Sequence, residues 1–373
     1  MTNEKERNVK KVEAPLKPGT KANVFRDQVL EYIHADTERV IKVQQFFGVK
    51  STTERGPLIL RLIFTFGAAL GNELFYILFL PFLFWCGDRN LGRSVILLWA
   101  ILYYFGQLSK DILKLPRPPS PPVIALETHY EAEYGLPSTH AMAAISIPFY
   151  MLAVHQPFHS VEVFPIAASI AFFWFFSMSL SRLYMGVHCT FDIIAGWIFG
   201  IIIVVPIYWL LESVDIVVMS HKDSPLIVFT LSIFLVLLYP LLSRSVKWTN
   251  SYGDTTLILG VATGVFWGSF ANSDVSLDSI YPIIYHLPKF HALPPESILF
   301  AILRCVLGYS LLILTRFVCK YIGTTILVAV LPESSVPPKN RYGVEIPTKY
   351  FTYAGVGFNA VYTAPYIFSL LQI

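Results

Sequence analysis

Apolar residues along this chain gather into long runs rather than stripes. Val163–Leu180, Ile193–Leu211, Leu226–Leu242 and Leu257–Phe270 are apolar on every face, as a helix surrounded by lipid or buried in a bundle must be. The pattern predicts spans near 93–112, 138–155, 162–181, 189–211, 225–242, 254–271, 297–318, 320–331 and 350–371. The stretch Leu58–Cys86 is too long for one ordinary span and is interrupted by Gly71-Asn72-Glu73. It reads as one long tilted helix or as two short membrane segments. The expected fold is all-α, a polytopic transmembrane helix bundle of about 9–10 membrane segments. The runs lack alternation and are too long for single strands, which argues against a transmembrane β-barrel.

Composition sharpens this picture. Of 373 residues 54% are hydrophobic and only 14% charged, which excludes a soluble enzyme and a disordered scaffold. Four cysteines lie in or beside apolar runs without framework spacing, so a secreted disulfide domain is excluded too. Residues 1–55 are polar, and much of the basic excess sits there, in Lys5, Arg7, Lys10, Lys11, Lys17 and Lys21. This reads as a solvated cytosolic tail with a surface helix over Val24–Phe47, drawn to an anionic membrane surface. The start lacks the apolar core and cleavage site of a signal peptide, so entry through the first spans is expected. No basic stripe interleaves with aromatics, so nucleic acid is not an expected partner. The organisation expected is a tail over 1–55, a chemical core over 56–220 and additional helices over 221–373. The segment 273–296 and the stretch Val336–Lys349 read as connectors.

Two loops hold ionisable groups at the membrane edge, 113–137 and 181–188, where charge is costly and therefore marks function. Lys110 closes an apolar helix, and Pro116 and Pro118 flank Arg117 and forbid a continuing helix. Arg117 can then fold back toward Lys110. Next, Ser138 stands as an N-cap before the run Ala141–Val154, and the free N–H groups of such a helix start bind anions, phosphate above all. His140, in that first turn, is placed to donate a proton. Finally Arg182 adds a third cation, and His188 and Asp192 are four apart, so on a helix they share one face. Asp192 would then fix the imidazole tautomer and leave the other nitrogen as a nucleophile. Taken singly, each segment also fits a bland reading: a charge anchor, a capping histidine, a helix-edge ion pair. Together they contain the cationic cradle, in-line nucleophile and acid that phosphoryl transfer needs.

Lys with six residues to Arg-Pro, then Pro-Ser-Thr-His, then Ser-Arg with five residues to His and three more to Asp resembles the type 2 phosphatidic acid phosphatase and vanadium haloperoxidase superfamily. The resemblance implies a haloperoxidase-like phosphatase core. It implies phosphate binding by Lys110, Arg117, Ser138, Thr139 and Arg182, a general acid in His140, and a nucleophile in His188 oriented by Asp192. Many members have glycine where this chain has Thr139, so the approach to phosphate must tolerate a side chain. That threonine with its flanks, Gly71–Tyr76, Gly253-Asp254-Thr255-Thr256, Tyr350–Gly355 and Pro365–Phe368 resemble the sphingosine-1-phosphate phosphatase subgroup. The resemblance then implies a multi-pass endoplasmic reticulum enzyme that dephosphorylates long-chain-base phosphates, without cofactor or metal, at a lumenal site.

The residues themselves indicate phosphate handling but do not choose the lipid. A broad lipid phosphate or polyisoprenyl diphosphate phosphatase, or a carrier of anionic lipid or phosphate, presents the same cations. The histidines show no metal-ligand spacing. Glu127, Glu131 and Glu133 read as a solvated acidic loop, with contact to the ammonium of a sphingoid base as the minority reading. Sidedness depends on Leu58–Cys86: two passages put a cytosolic tail opposite lumenal catalytic loops, and one passage puts them together. The expectation is two passages, from the positive-inside rule and the family resemblance.

Overall fold

The structure, a computed structural model, describes residues 21–127, 133–244, 249–273, 298–331 and 342–373. The described chain is all-helical. In order the helices are α1 (Lys21–Phe46), α2 (Leu58–Ala69), α3 (Glu73–Cys86), α4 (Arg89–Leu113), α5 (Thr139–Val154), α6 (Phe164–Tyr184), α7 (Thr190–Ser220), α8 (Ser224–Ser243), α9 (Asn250–Ala271), α10 (Ile298–Val330), α11 (Tyr342–Phe358) and α12 (Ala364–Leu371). A π-helical turn, Asn359–Thr363, joins the last two.

Side chains set several of the helix starts. Asp88 accepts the N–H groups of Asn90 and Leu91 at the head of α4, Ser138 that of Ala141 at α5, and Thr249 that of Tyr252 at α9. Each satisfies a donor that the helix leaves open. Lipid supplies no hydrophobic drive for one helix to join another, so close packing must hold the bundle together. Gly260, Gly264 and Gly268 provide it on α9, whose backbone lies directly on Tyr350, Ala354 and Phe358 of α11. A large apolar cluster that includes Tyr76, Trp99, Met142, Leu257, Leu312 and Phe368 fills the space between α3, α4, α5, α9, α10 and the C-terminal helices.

Among the described residues five helices, α4, α6, α7, α8 and α10, are long and apolar enough to cross a membrane, and the bent pair α2 and α3, taken as one span, makes a sixth. The expected 9–10 segments exceed this for identifiable reasons. Residues 297–318 and 320–331 belong to one helix, because Arg316 and Lys320 interrupt hydropathy without breaking hydrogen bonding. α5 has only 16 residues, and α9 is buried along nearly its whole length with Thr255, Thr256 and Thr263 inside the bundle. Helix α11 begins at Tyr342, so the expected connector Val336–Lys349 is helical from there on. The expected loop 273–296 lies outside the described residues from 274, as do residues 1–20 and Glu131.

The Leu58–Cys86 stretch does break at Gly71-Asn72, with a bend of 70°, but it makes one passage. At its start Tyr184 donates to the carbonyl of Arg55, and Gly67 packs on the Ser177 backbone. At the bend Tyr103 donates to the Gly71 carbonyl at 3.0 Å. α3 then descends along α4, Tyr76 stacking on Trp99, until the Trp85 indole donates to Ala360 at 2.8 Å. The two ends of the stretch therefore lie at opposite ends of the bundle.

Helix α1 follows the same geometry. It does not stand apart as an interfacial tether: Val29, Ile33 and Val40 are buried with Leu115, Val123, Leu136, Leu183 and Ile193. Gln44 donates to the carbonyls of Ile124 (2.8 Å) and Tyr184 (3.1 Å) and accepts the Ile124 N–H. The expected separation of tail and catalytic loops by two passages is corrected, since one passage leaves α1 docked on those loops.

Candidate active site

Four segments meet at this end of the bundle: the last turn of α4, the loop that follows it, the start of α5, and the turn from α6 into α7. Lys110, 2% exposed, points out of the last α4 turn, with Nζ 3.4 Å from both Glu133 Oε2 and Thr139 Oγ1. Lys114 closes α4 in the left-handed region, and the extended Leu-Pro-Arg-Pro run carries Arg117 back over the helix end. Its Nη2 lies 3.7 Å from the same Glu133 carboxylate, and its Nε donates to the Glu133 carbonyl at 3.1 Å. The fold-back expected from the prolines is thus present, and Glu133 joins the two cations.

The second half is built around the α7 start. Gly186, at φ +67°, turns the chain out of α6, and Cys189 takes the N-cap position of α7. Asp192 Oδ2 accepts the Cys189 N–H at 3.0 Å and lies 3.3 Å from His188 Nδ1. On the far side of the ring, Arg117 Nη1 is 3.0 Å from His188 Nε2. A guanidinium can only donate, so Nε2 is the acceptor and the proton resides on Nδ1, facing Asp192. Burial holds the His188 imidazole well below the ordinary histidine value, and the positive charges of Arg117, Lys110 and Arg182 hold it lower still. The ring is neutral at physiological pH, with its lone pair among cations.

Arg182, fully buried, pairs with Glu127 Oε2 at 3.3 Å, while its Nη2 has no hydrogen-bond partner. The Ser138 N–H donates to the Asp192 carbonyl at 3.1 Å, which ties the α5 start to the α7 start. Thr139 has its methyl over Gly106 and its hydroxyl toward Lys110. The Thr139 side chain is therefore turned into the α4 groove. His140 is buried against Gly71, where a Cβ would stand 2.0 Å from the imidazole Cδ2. Only glycine at the α2–α3 bend leaves room for that ring.

All eight residues singled out from the sequence, Lys110, Arg117, Ser138, Thr139, His140, Arg182, His188 and Asp192, fall at this one locus. The reading of Glu127 and Glu133 as a solvated loop is corrected: both carboxylates are spent on the three cations. Tyr130 and Glu131 lie outside the described residues. Asp36 was not legible as part of the site. From α1 its Oδ2 accepts the N–H groups of Thr190 and of Phe191, the latter at 3.3 Å, so it caps the helix that carries Asp192. Its one sequence signal is an acidic residue on the apolar face of a helix. Among the described residues no group of three or more His, Cys, Asp or Glu side chains is arranged to hold a metal ion.

A cavity of about 630 Å³ opens beside His140 and Thr139 and runs between α3, α4, α9 and α10. A charged cradle at the rim of a helical bundle, with a cleft among its helices, defines a membrane-embedded phosphatase. The family model for the PAP2 superfamily matches residues 91–214, the span that holds the cradle. Sphingosine-1-phosphate phosphatase 1 of Mus musculus is 38% identical over 86% of this chain and 76% of its own length. Sphingosine-1-phosphate phosphatase 2 of Homo sapiens is 33% identical over 83% of this chain and 78% of its own. A dihydrosphingosine 1-phosphate phosphatase of Schizosaccharomyces pombe is 26% identical over 92% and 90%. The chain belongs to the sphingosine-1-phosphate phosphatase family of the PAP2 superfamily, and is a lipid phosphate phosphatase of that type. No solved structure matches it.

Proposed function

We propose that this phosphatase hydrolyses long-chain-base phosphates such as sphingosine 1-phosphate through a phosphohistidine on His188, with no metal ion. The observation that carries the mechanism is the pair of contacts on the His188 ring, Asp192 at Nδ1 and Arg117 at Nε2. A carrier needs cations but has no use for a histidine held in one tautomer. Relatives named for sphingosine 1-phosphate and dihydrosphingosine 1-phosphate support the substrate class.

In the first step the Nε2 lone pair attacks phosphorus and the P–O bond to the lipid breaks. His140 gives its proton to the departing alkoxide. Lys110, Arg117, Arg182 and the α5 N–H groups at Ser138–Thr139 hold the equatorial oxygens, where charge gathers in the transition state. Asp192 stabilises the imidazolium character of the attacked ring. A water then attacks the phosphohistidine, His140 takes its proton, the P–N bond breaks, and inorganic phosphate leaves.

Purified protein in detergent with a chelator present should release phosphate from sphingosine 1-phosphate faster than from phosphatidic acid or a polyisoprenyl diphosphate. Orthovanadate should inhibit it as a transition-state-like anion. Loss of activity on chelation with rescue by a divalent ion would contradict the mechanism, and preference for another lipid would contradict the substrate class.

The compartment belongs to the same proposal. The family resemblance supports an endoplasmic reticulum membrane with lumenal catalytic loops, and α1 then shares the lumen. Basic residues are denser at the catalytic end (Arg39, Lys42, Lys50, Arg55, Lys114 and Arg244) than at the other (Arg89, Arg93 and Lys222), and the positive-inside rule pulls the opposite way. Glycosylation acceptors near Thr128 and in the first 20 residues decide the matter. Both should be modified, and an unmodified pair in folded, active protein would place the catalytic end in the cytosol.

A further inference from the structure

The cavity beside His140 has polar walls for which phosphate chemistry has no use. Its rim toward the cradle is Thr139, His140 and Glu133, and its outer part is lined by Leu74, Ile77 and Ile313. Those three lie on α3 and α10, and Leu74 and Ile313 are exposed on the sides of the bundle. The cleft thus leads from the phosphate site to the hydrocarbon, as a route for a lipid must.

Between the two ends stand Asp254 and Gln107. Asp254 sits in α9 within Gly253-Asp254-Thr255-Thr256 and lines the cavity with no direct hydrogen bond or salt bridge to a described residue, the charges acting on it being Glu133, Lys349, Glu73 and Lys110. Gln107, from α4, is 4% exposed, and its amide oxygen has no hydrogen-bond partner. The other charges of the wall are accounted for. Glu133 meets Lys110 and Arg117, and Tyr353 bridges Glu73 and Arg316, donating to Glu73 at 3.2 Å and accepting from Arg316 Nε at 3.1 Å. What remains is one carboxylate without a direct ion pair and one amide oxygen without a hydrogen bond, both acceptors, inside a lipid-sized cleft. A carboxylate held at that depth without a direct ion pair is costly, and the cost is removed when a cationic ligand supplies the charge.

We infer that Asp254, with the Gln107 amide oxygen, binds the protonated amine of the substrate and makes the enzyme selective for amine-bearing lipid phosphates. The inference rests on the function proposed above and moves the ammonium contact from the Glu127–Glu133 loop, whose carboxylates are engaged, to α9. The chemistry of the substrate suits the geometry. In a sphingoid-base phosphate the amine is on the carbon next to the phosphoester carbon, so phosphate in the cradle leaves the ammonium at the rim beside His140. Three N–H donors of the ammonium then meet acceptors, and the chain continues along Leu74, Ile77 and Ile313 into the bilayer. Phosphatidic acid carries an ester at that carbon and has nothing to offer Asp254.

The test is a ratio. Hydrolysis of sphingosine 1-phosphate and of its N-acetylated analogue is compared in wild type, Asp254→Asn and Gln107→Leu, each checked for vanadate binding as evidence of an intact cradle. The ratio of kcat/KM for amine over N-acetyl substrate should fall about 10- to 100-fold in Asp254→Asn, the worth of a hydrogen bond to a charged group, and by a smaller factor in Gln107→Leu. Unchanged ratios in both variants, or parallel loss on both substrates, would overturn the assignment while leaving the proposed function in place. Wild-type protein that hydrolyses neither substrate would overturn the proposed function, and the inference with it.

Discussion

Both ends of the bundle carry buried or half-buried charge beside a cavity, and only one sets a cluster of cations around an oriented histidine. At the end away from His188, Asp88, Arg93, His155, Glu212 and Asp215 line a cavity of about 620 Å³, as large as the lipid cleft. There Arg93 makes a fork-to-fork pair with Asp215, at 2.7 and 2.5 Å, and Asp88 is spent on the α4 cap with His155 3.6 Å away. Carboxylates outnumber guanidinium groups, and the cation has its partner. At the catalytic end three cations share two carboxylates, Arg182 keeps an unused donor, and a neutral histidine faces them. Charge at a membrane edge is not itself a site. The proposed site differs in that cations exceed their partners and a histidine is fixed among them.

The strongest test of that contrast is a pair of substitutions. His188→Ala should reduce turnover to background, a loss on the order of 10⁴-fold or more, as for other covalent nucleophiles. Arg93→Ala should leave kcat within about twofold and lower stability by about 1–3 kcal/mol. Steady-state kinetics beside thermal unfolding in detergent separates the two, and comparable kinetic damage from both would erase the distinction. His140→Ala should slow hydrolysis of a lipid phosphate by about 10²- to 10⁴-fold while sparing an ester with a good leaving group. Equal losses on the two substrates would remove the proton-donor role.

Arg117→Lys should cost about 10- to 100-fold in kcat/KM, because an ammonium cannot offer two phosphate oxygens the planar fork of a guanidinium. Asp36→Ala, outside the cradle, should lower stability by about 1–2 kcal/mol through the lost α7 cap and reduce kcat by only a few-fold. An unchanged melting temperature would show that α1 does not brace the α7 start.

The smallest effect is in pH. The His188 pKa is depressed in the fold, so below about 6.5, the unfolded value, the unfolded chain binds a proton that the fold refuses. His188 thus contributes nothing to pH dependence above that value and destabilises the fold as pH drops beneath it. NMR of ring-labelled histidine should find His188 neutral at pH 6.5 with Nδ1 protonated, and titration at or above the ordinary value would contradict the cationic setting.

The cradle was legible because its chemistry is written in local spacing. Pro116 and Pro118 dictate the fold-back of Arg117, Ser138 a helix start, and four residues separate His188 from Asp192 across one helical turn. The break at Gly71-Asn72-Glu73 was legible too, but not its meaning. Whether Leu58–Cys86 crosses once or twice depends on what α2 and α3 touch, and Tyr184, Tyr103 and Ala360, far away in sequence, settle it. The same holds for Asp36, which caps a helix 154 positions further along, and for Glu127 and Glu133, whose partners are cations on other elements.

Hydrophobic runs and fixed spacings alone determined an all-helical membrane protein whose cations and histidines gather at one end, because helix periodicity and proline sterics act within a few residues. Tertiary structure alone decided which end each loop occupies, how the bent pair crosses, and that Asp254 and Gln107 stand in one cleft beside His140. Those facts come from helices packed side by side through small residues and aromatic stacks, and such contacts leave no periodic trace in the chain.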